Sequence, residues 1–533
     1  MNQQSVLILG AGLMQKPAII SAKNAGFYTY VIDANPAAES VVYADEFKKI
    51  DLKNNEEIFE FAKVLKDKFN LAGIFTAGTD FSASVSYAAE KLGFPAHSYE
   101  SALNASLKPR MRDCFNSACV PSPKFFSLIG KDVTEKKLRF ITDSLGFPCV
   151  VKPADNMGAR GCRMIRDFSE AVTSVAAAAE NSRSDTVIIE EYMEGPEFSI
   201  DALVYEGSLT ITGFADRHIY YPPYFIETGH TMPTVIEEEK KLELIACFAK
   251  GVKALGLTCG AAKADIKYTS KGPQIGEIAA RLSGGYMSGW TFPYSSDCNL
   301  TEQALLIATG KKPEYILKNR VKLPVENGTF EIFQITSEKV SAERAWISIP
   351  GKIKAIEGLE QAKKTEGVMN VFPRPVKTGD SIDFPRNNVQ KCGNVISMCT
   401  NYEEAVAASE KACSKIVIRL EPENKDTEKF LAGISAADEK GFPPAAFSLW
   451  NHIDDYNLDG VIKENQSVLE NIPVDFYEVL SKTEKSWNYL TALETARRFD
   501  LLIPVHPELD RKKFWSALLK GGIQAAIYIS DSI

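Results

Sequence analysis

The most constraining feature is a carboxylate pair split across a turn: Asp265, then IKYTSKGPQIGEIAARLSGG from Ile266, which places Glu277 symmetrically with Asp265 about Lys271. With a turn over Ser270 to Pro273, the two acids face each other on antiparallel strands, their Cβ atoms roughly 5 Å apart. Like charges at that spacing repel unless a hard cation lies between them. A divalent ion such as Mg²⁺ does this, taking a couple of carboxylates together with nucleotide phosphates. Arg281 follows Glu277 by four residues, beside Gly284-Gly285. Metal and guanidinium together could stabilise phosphoryl charge. A solvated surface hairpin can carry the same charge pattern.

Two further segments bear on that choice. VVKPADNMGARG, residues 150–161, is a strand end carrying Lys152 and running into a loop with Gly158 and Gly161. The lysine supplies a compact charge, and the glycines let backbone N–H groups approach phosphate oxygens. No GxxxxGK[ST] occurs there, so this is not a Walker loop. In VIIEEYMEGPEFSIDALVYEG, residues 187–207, Gly195-Pro196 mark a turn. Beyond it Phe198, Ile200, Ala202 and Val204 alternate with Glu197, Ser199 and Asp201, so Glu197 starts a strand on its polar face, toward a cleft or solvent.

In order and spacing these pieces resemble the ATP-grasp superfamily of carboxylate–amine ligases over roughly the first four-fifths of the chain. The resemblance implies that Lys108, in SLKPRMRD, and Lys152 grip the nucleotide phosphates, with Gly158 and Gly161 in a loop covering them. Ala159 stands where a serine is usual. It implies adenine contacts from the hinge Glu190, Glu191, Tyr192 and Met193, a ribose contact from Glu197, and Mg²⁺ (or Mn²⁺) held by Asp265 and Glu277. The usual E-x-N-x-R reads Glu277-Ile278-Ala279-Ala280-Arg281, without the asparagine that helps hold a second ion. With Glu227 and His230 in FIETGHTMP, this variant looks like the L-amino acid ligases, the dipeptide synthetases of the bacilysin pathway. There the matching Glu and His lie near the amino-acid substrate and the arginine near the reacting carboxyl. The implied activity is ATP-dependent carboxylate activation as an acyl phosphate and transfer to an amine. Glu227 would hold an ammonium, His230 would accept a proton and Arg281 would stabilise the intermediate. Tyr220, Tyr221, Pro222, Pro223 and Tyr224 suggest an aromatic loop that suits either a pocket or packing.

Composition agrees with a multidomain enzyme. A chain of 533 residues is long for one core. A net charge of −8 argues against non-specific nucleic-acid binding, and no apolar run is long enough to span a bilayer. Ten scattered cysteines without CxxC spacing read as reduced thiols of a cytoplasmic protein. The start, MNQQSVLILGAG, reads as a first strand and not as a signal peptide. Small-molecule substrates are expected, with neither nucleic acid nor membrane as partner; a homodimer is compatible with this reading.

The expected fold is α/β and α+β, in several domains. Residues 1–100 form a Rossmann-like domain with strands at Val6–Leu9, Tyr28–Ile32 and Gly73–Thr76, and a structural Asp33. Residues 101–310 form the ATP-grasp domain, with a lid at about 120–190. Residues 311–425 form a β-rich closing subdomain with strands in FEIFQI, GKIKAIEG and KIVIRLE. Residues 426–533 form an added α/β domain of unassigned role, with helices in WNYLTALETARRF and DRKKFWSALLK and strands in LLIPV and IQAAIYIS. His452, near Asp454 and Asp455, and His506 lack a partner motif and read as structural. Two other readings stay open: a bicarbonate-activating enzyme of the biotin-carboxylase or carbamoyl-phosphate type, and a non-catalytic nucleotide-binding sensor.

Overall fold

The computed structural model describes residues 3–325, 328–436 and 439–533. The first unit is a parallel sheet of β1 (Ser5–Leu9), β2 (Tyr28–Asp33), β3 (Glu46–Lys49) and β4 (Leu71–Phe75), in the order β3-β2-β1-β4. The run Val6 to Leu9 is fully buried because helices cover both faces, which is why it lacks polar alternation. Asp33 accepts hydrogen bonds from the N–H groups of Ala11 (2.8 Å) and Asn35 (2.8 Å), the structural role expected of it.

The lid is an antiparallel sheet of β5 (Phe125–Ile129), β6 (Cys149–Pro153), β7 (Arg163–Ile165) and β8 (Thr186–Glu191), ordered β5-β8-β6-β7 and backed by helices Glu135–Leu145 and Ala171–Glu180. The large sheet begins with β9 (Glu197–Tyr205), β10 (Ser208–Tyr220), β11 (Ile226–Met232), β12 (Gly260–Thr269) and β13 (Gly272–Ala279). Later strands are β14 (Arg320–Lys322), β15 (Glu331–Ile335), β16 (Val340–Trp346), β17 (Gly351–Glu357), β18 (Val368–Pro373), β19 (Ser381–Ile382), β20 (Gly393–Cys399) and β21 (Val417–Leu420). Of these, β16, β20 and β18 extend the large sheet beyond β11, giving β13-β12-β9-β10-β11-β16-β20-β18, with β14 and β15 beside β10. One sheet thus crosses from the ATP-grasp region into the closing subdomain. Gly229 makes the junction possible, since a Cβ there would lie 2.0 Å from the Glu343 carbonyl oxygen. Both faces of β9 are covered, so Ser199 and Asp201, expected on a polar face, are wholly buried.

The tail differs from expectation. It is largely helical, with a ribbon of β22 (Val461–Ile462) and β23 (Leu509–Asp510). IQAAIYIS lies in the helix Arg511–Asp531, and LLIPV starts as the end of helix Ala492–Leu502. Ile523 to Ile529 are at most 3% exposed on every side, and a helix buried all round shows no polar stripe to distinguish it from a buried strand. Gly522 (φ 63°, ψ −148°) breaks that helix in two. Trp487, Ala525 and Tyr528 share a core with Trp346, Ile353 and Phe384 of the closing subdomain. No helix among the described residues is long and apolar enough to cross a membrane.

Candidate active site

The acidic hairpin forms, and a β-bulge sets its chemistry. Its loop is two residues, Ser270 and Lys271, and the ladder runs from Thr269↔Gly272 to Ile266↔Ile275. It then shifts by one, so that Asp265 faces Glu277. In an unshifted ladder Gly276 would oppose Asp265 and Glu277 would turn to the other face.

Both carboxylates open into a cavity of about 460 Å³ between lid, large sheet and closing subdomain. Its size suits a small-molecule ligand. Nine cationic and six acidic side chains line it among the described residues, an excess that favours an anionic occupant. Lys108, Lys152, Gly158, Glu190, Glu191, Tyr192, Met193, Glu197, Glu227, Asp265, Glu277 and Arg281 are all on its wall. Gly161 is not, although it shapes the lining loop: Gly158, Ala159 and Gly161 have φ of 67°, 59° and 68°. Ala159 therefore holds a left-handed conformation that an L-residue rarely adopts.

The lysines meet acids. Lys108 Nζ lies 3.6 Å from Glu277 and donates to the Asn156 carbonyl at 3.0 Å. Lys152 bonds Glu190, which is 2% exposed and also accepts from Arg112 at 2.8 Å. The Glu190 side chain thus anchors Lys152 from below. Burial pushes the Glu277 carboxyl up, but Lys108, Lys263 and Lys152 outweigh it and hold it at about 2. In Asp265, Oδ1 lies 2.6 Å from Arg217 without an aligned donor and is buried. Two carboxylates facing each other across the bulge fit a divalent cation, and the cationic surplus fits a nucleotide polyphosphate.

Sequence reading missed several wall residues. Arg217 pairs with Glu197 (2.6 Å), Glu227 (2.7 Å) and Asp265 (2.6 Å), joining three expected site acids from the middle strand β10. Its alternation on a β-strand was the available signal, but no short motif contains it. Lys263 bonds Asp265, and Asp80 holds Arg281 at 3.0 Å. From the closing subdomain, Asn388 accepts from the Glu227 N–H at 2.8 Å and donates its own N–H to the Gly158 carbonyl at 3.0 Å. Lys391 donates to the Glu227 carbonyl at 2.8 Å.

His230 is placed differently from expectation. It is 0% exposed and not on the cavity wall, because β11 turns it toward β16. Its Nε2 bonds Thr291 at 2.7 Å, while Nδ1 lies 3.3 Å from Glu343 and 3.9 Å from Glu227. In this structure its Nδ1 faces Glu227 and Glu343 and does not border the cavity. Glu227 is on the wall; burial raises its carboxyl, but Arg217, Lys391 and His230 hold it at about 2, as an anion. Of the tyrosine loop, Tyr221 packs on Phe384 and Trp487, and Tyr224 on Phe442. That loop is packing between subdomains. His506 is buried with both ring nitrogens on main-chain carbonyls, and His452 is exposed beside Asp455.

Parts of the chain are similar to known proteins. Residues 145–289 match the family model described as "ATP-grasp domain", and residues 345–421 match "L-amino acid ligase C-terminal domain 2". The chain carries an ATP-grasp domain and an L-amino acid ligase C-terminal domain. Relatives include alanine–anticapsin ligase of Bacillus subtilis, 27% identical over 52% of this chain and 61% of that one. Carnosine synthase 1 of Gallus gallus is 22% identical over 74% of this chain and 44% of that one. The chain thus spans about half the length of these curated relatives. An L-amino acid ligase from Bacillus licheniformis shares the ATP-grasp fold, with a TM-score of 0.64 at 18% identity over 79% of this chain and all of that one. Over the matched residues the chain is similar to these ligases in sequence and in fold.

Proposed function

We propose that this ATP-grasp chain activates the carboxylate of an L-amino acid as an acyl phosphate and joins it to an amine, releasing ADP and phosphate. The observation carrying this is the bulged pairing of Asp265 with Glu277 in a cationic cavity that also holds Arg281 and Glu227. Asp265 and Glu277 would hold Mg²⁺ (or Mn²⁺), which would supply neutralisation of phosphate charge. The chain's own residues do the rest. Lys108, Lys152 and the loop at Gly158 and Gly161 would hold the phosphates in line, and Glu190 fixes the Lys152 stem. Glu191, Tyr192 and Met193 border the adenine end, with Glu197 on the ribose. The substrate carboxylate oxygen attacks the γ-phosphorus and ADP leaves; the amine nitrogen then attacks the acyl carbon, phosphate leaves and the nitrogen loses a proton. Arg281 would stabilise the oxyanion. Glu227, whose Oε2 pairs with Arg217 at 2.7 Å, would hold the substrate ammonium. His230 would keep Glu227 in place from behind, as a positioning residue.

The test is a screen of ADP release against amino acids, singly and in pairs, with hydroxylamine added to trap an acyl phosphate. Hydroxamate formed from one amino acid without an amine partner is the expected result. Bicarbonate-dependent ADP release without hydroxamate would replace this reading with carboxylation, and nucleotide binding without turnover would leave a sensor.

A further inference from the structure

Behind the cavity wall, three side chains of metal-ligating type converge. His230 Nδ1 lies 3.3 Å from Glu343 Oε2 and 3.9 Å from Glu227 Oε1, and one donor atom from each of the three residues lies within 4.8 Å of the others. All three residues are buried. The backbone arranges this. The β10–β11 ladder steps from His218↔Gly229 to Ile219↔Glu227, skipping Thr228, and that extra residue brings Glu227 to the same face as His230 three positions on. His230 stands directly opposite Glu343 on β16, which sets that carboxylate beside the ring.

Two features call for a cation there. His230 Nε2 donates to the Thr291 hydroxyl at 2.7 Å, and that hydroxyl donates onward to the Met287 carbonyl at 3.4 Å. With the ring proton on Nε2, Nδ1 carries a lone pair, and it is buried without a hydrogen-bond partner. The second feature is Glu343, 2% exposed and bonded by Asn394, with no lysine or arginine ion pair among the described residues. Arg344, its neighbour on β16, is spent on the carbonyls of His230 (3.2 Å) and Glu343 (2.9 Å) and on Thr231. A buried carboxylate without a counter-charge is costly. A proton on Nδ1 would offset it, but the approach to Glu343 lacks hydrogen-bond alignment, whereas an ion among the three atoms needs none. Nitrogen and oxygen ligands of one tetrahedral ion stand roughly 3.4 Å apart, close to the separations found.

We propose that Glu227, His230 and Glu343 form a Zn²⁺ site that ties β11 to β16, distinct from the Mg²⁺ site of Asp265 and Glu277. It does not rest on the ligase reading. An imidazole with two carboxylates suits Zn²⁺; Mg²⁺ prefers oxygen ligands alone, and Mn²⁺ is the weakest first-row competitor for such a site. The Nε2 bond to Thr291 fixes the ring as a ligating histidine requires, and water would fill the fourth position. A carboxylate has about four lone-pair sites, so Glu227 can hold the ion through Oε1 and keep Arg217 on Oε2.

The full chain, stripped with a chelator, is equilibrated with Zn²⁺ in millimolar Mg²⁺ and ADP. Bound zinc is counted by elemental mass spectrometry, with Co²⁺ absorption spectra and thermal melts alongside. One zinc per chain, a Co²⁺ spectrum of nitrogen and oxygen ligands, and a melting temperature that rises with zinc are the expected results. His230→Asn and Glu343→Gln should each weaken zinc binding about a hundredfold or more and lose the rise, whereas Glu277→Gln should keep both. Zinc retained by His230→Asn, zinc lost in Glu277→Gln, or thiolate bands in the Co²⁺ spectrum overturns the proposal. If either variant fails to fold, the parent's Co²⁺ spectrum decides. A parent that takes up no zinc sinks this site and leaves the ligase reading standing, since no readout here is turnover.

Discussion

In the proposed reaction Lys152 and Glu277, both on the cavity wall, would act on the same phosphoryl transition state, one through its own charge and the other through the metal. Lys152→Ala and Glu277→Ala are expected to lower turnover at least a hundredfold, the scale of losing a preorganised charge, while circular dichroism spectra stay those of the parent. ADP release at parental rates by either variant removes the active-site assignment. Lys263 bears on metal count, since it pairs in register with Ala279, where the family's asparagine is missing, and its ammonium bonds Asp265. A positive charge is thus already present beside the carboxylate that a second ion would use. Titration with Mn²⁺ followed by electron paramagnetic resonance is expected to give one tight ion per chain with ATP, and more than one in Lys263→Ala. Asp201 makes a pH prediction. It is wholly buried, and burial raises its carboxyl to about 6 even though the Ser283 N–H and hydroxyl bond it. The folded chain therefore holds a proton there that the unfolded chain has released, so stability falls as pH rises from about 4 to about 6. The loss is on the order of 3 kcal/mol at neutral pH. Melting temperatures measured against pH should show that slope in the parent and lose it in Asp201→Asn.

At the scale of elements, two departures from ideal strand geometry build the site. The bulge in β12–β13 carries Glu277 to the cavity face, and Gly229 lets β11 lie against β16, with His230 opposite Glu343. A methyl group at residue 229 meets backbone, which has nowhere to move without parting the strands. Gly229→Ala is expected to destabilise by about 2 kcal/mol or more, read from urea midpoints, and to cost activity beyond what unfolding explains. An unchanged midpoint would show that the strands part at no cost.

In the whole molecule the tail reaches toward the site through an ion-pair strut, besides the Tyr489 hydroxyl on the Thr228 carbonyl at 3.4 Å. Glu439 accepts from Arg386 at 3.1 and 3.0 Å and also bonds Tyr224. Two residues beyond Arg386, Asn388 touches both the glycine loop and Glu227. The Arg386–Glu439 pair is partly exposed and contributes little to stability. Arg386→Ala is therefore expected to shift the melting temperature by only a few degrees, yet to raise the KM values for ATP and the amino acid several-fold and to speed protease cleavage near residue 388. Parental kinetics would leave the tail without influence on the site. Burial pushes the Tyr224 hydroxyl up to about 12, with Glu439 adding to it, so the strut keeps its charge pattern through the neutral range.

Local chemistry was legible in the chain: glycines where φ is positive, a carboxylate pair about a turn, lysines leaving strands, and the parallel strands of the first unit. These follow from neighbours in sequence; the ATP-grasp fold and the remaining wall residues, such as Lys108, Tyr192 and Glu227, came from the resemblance that their order and spacing carry. The tertiary structure alone decided what depends on distant partners. Arg217 gained its role from acids on three different strands, β9, β11 and β12. His230 left the cavity because β16 covers it, and Ile523 to Ile529 became helix because burial on all sides erased the periodicity that separates helix from strand. Backbone preference and spacing act within a few residues, whereas burial and charge pairing are set by whatever the fold brings alongside.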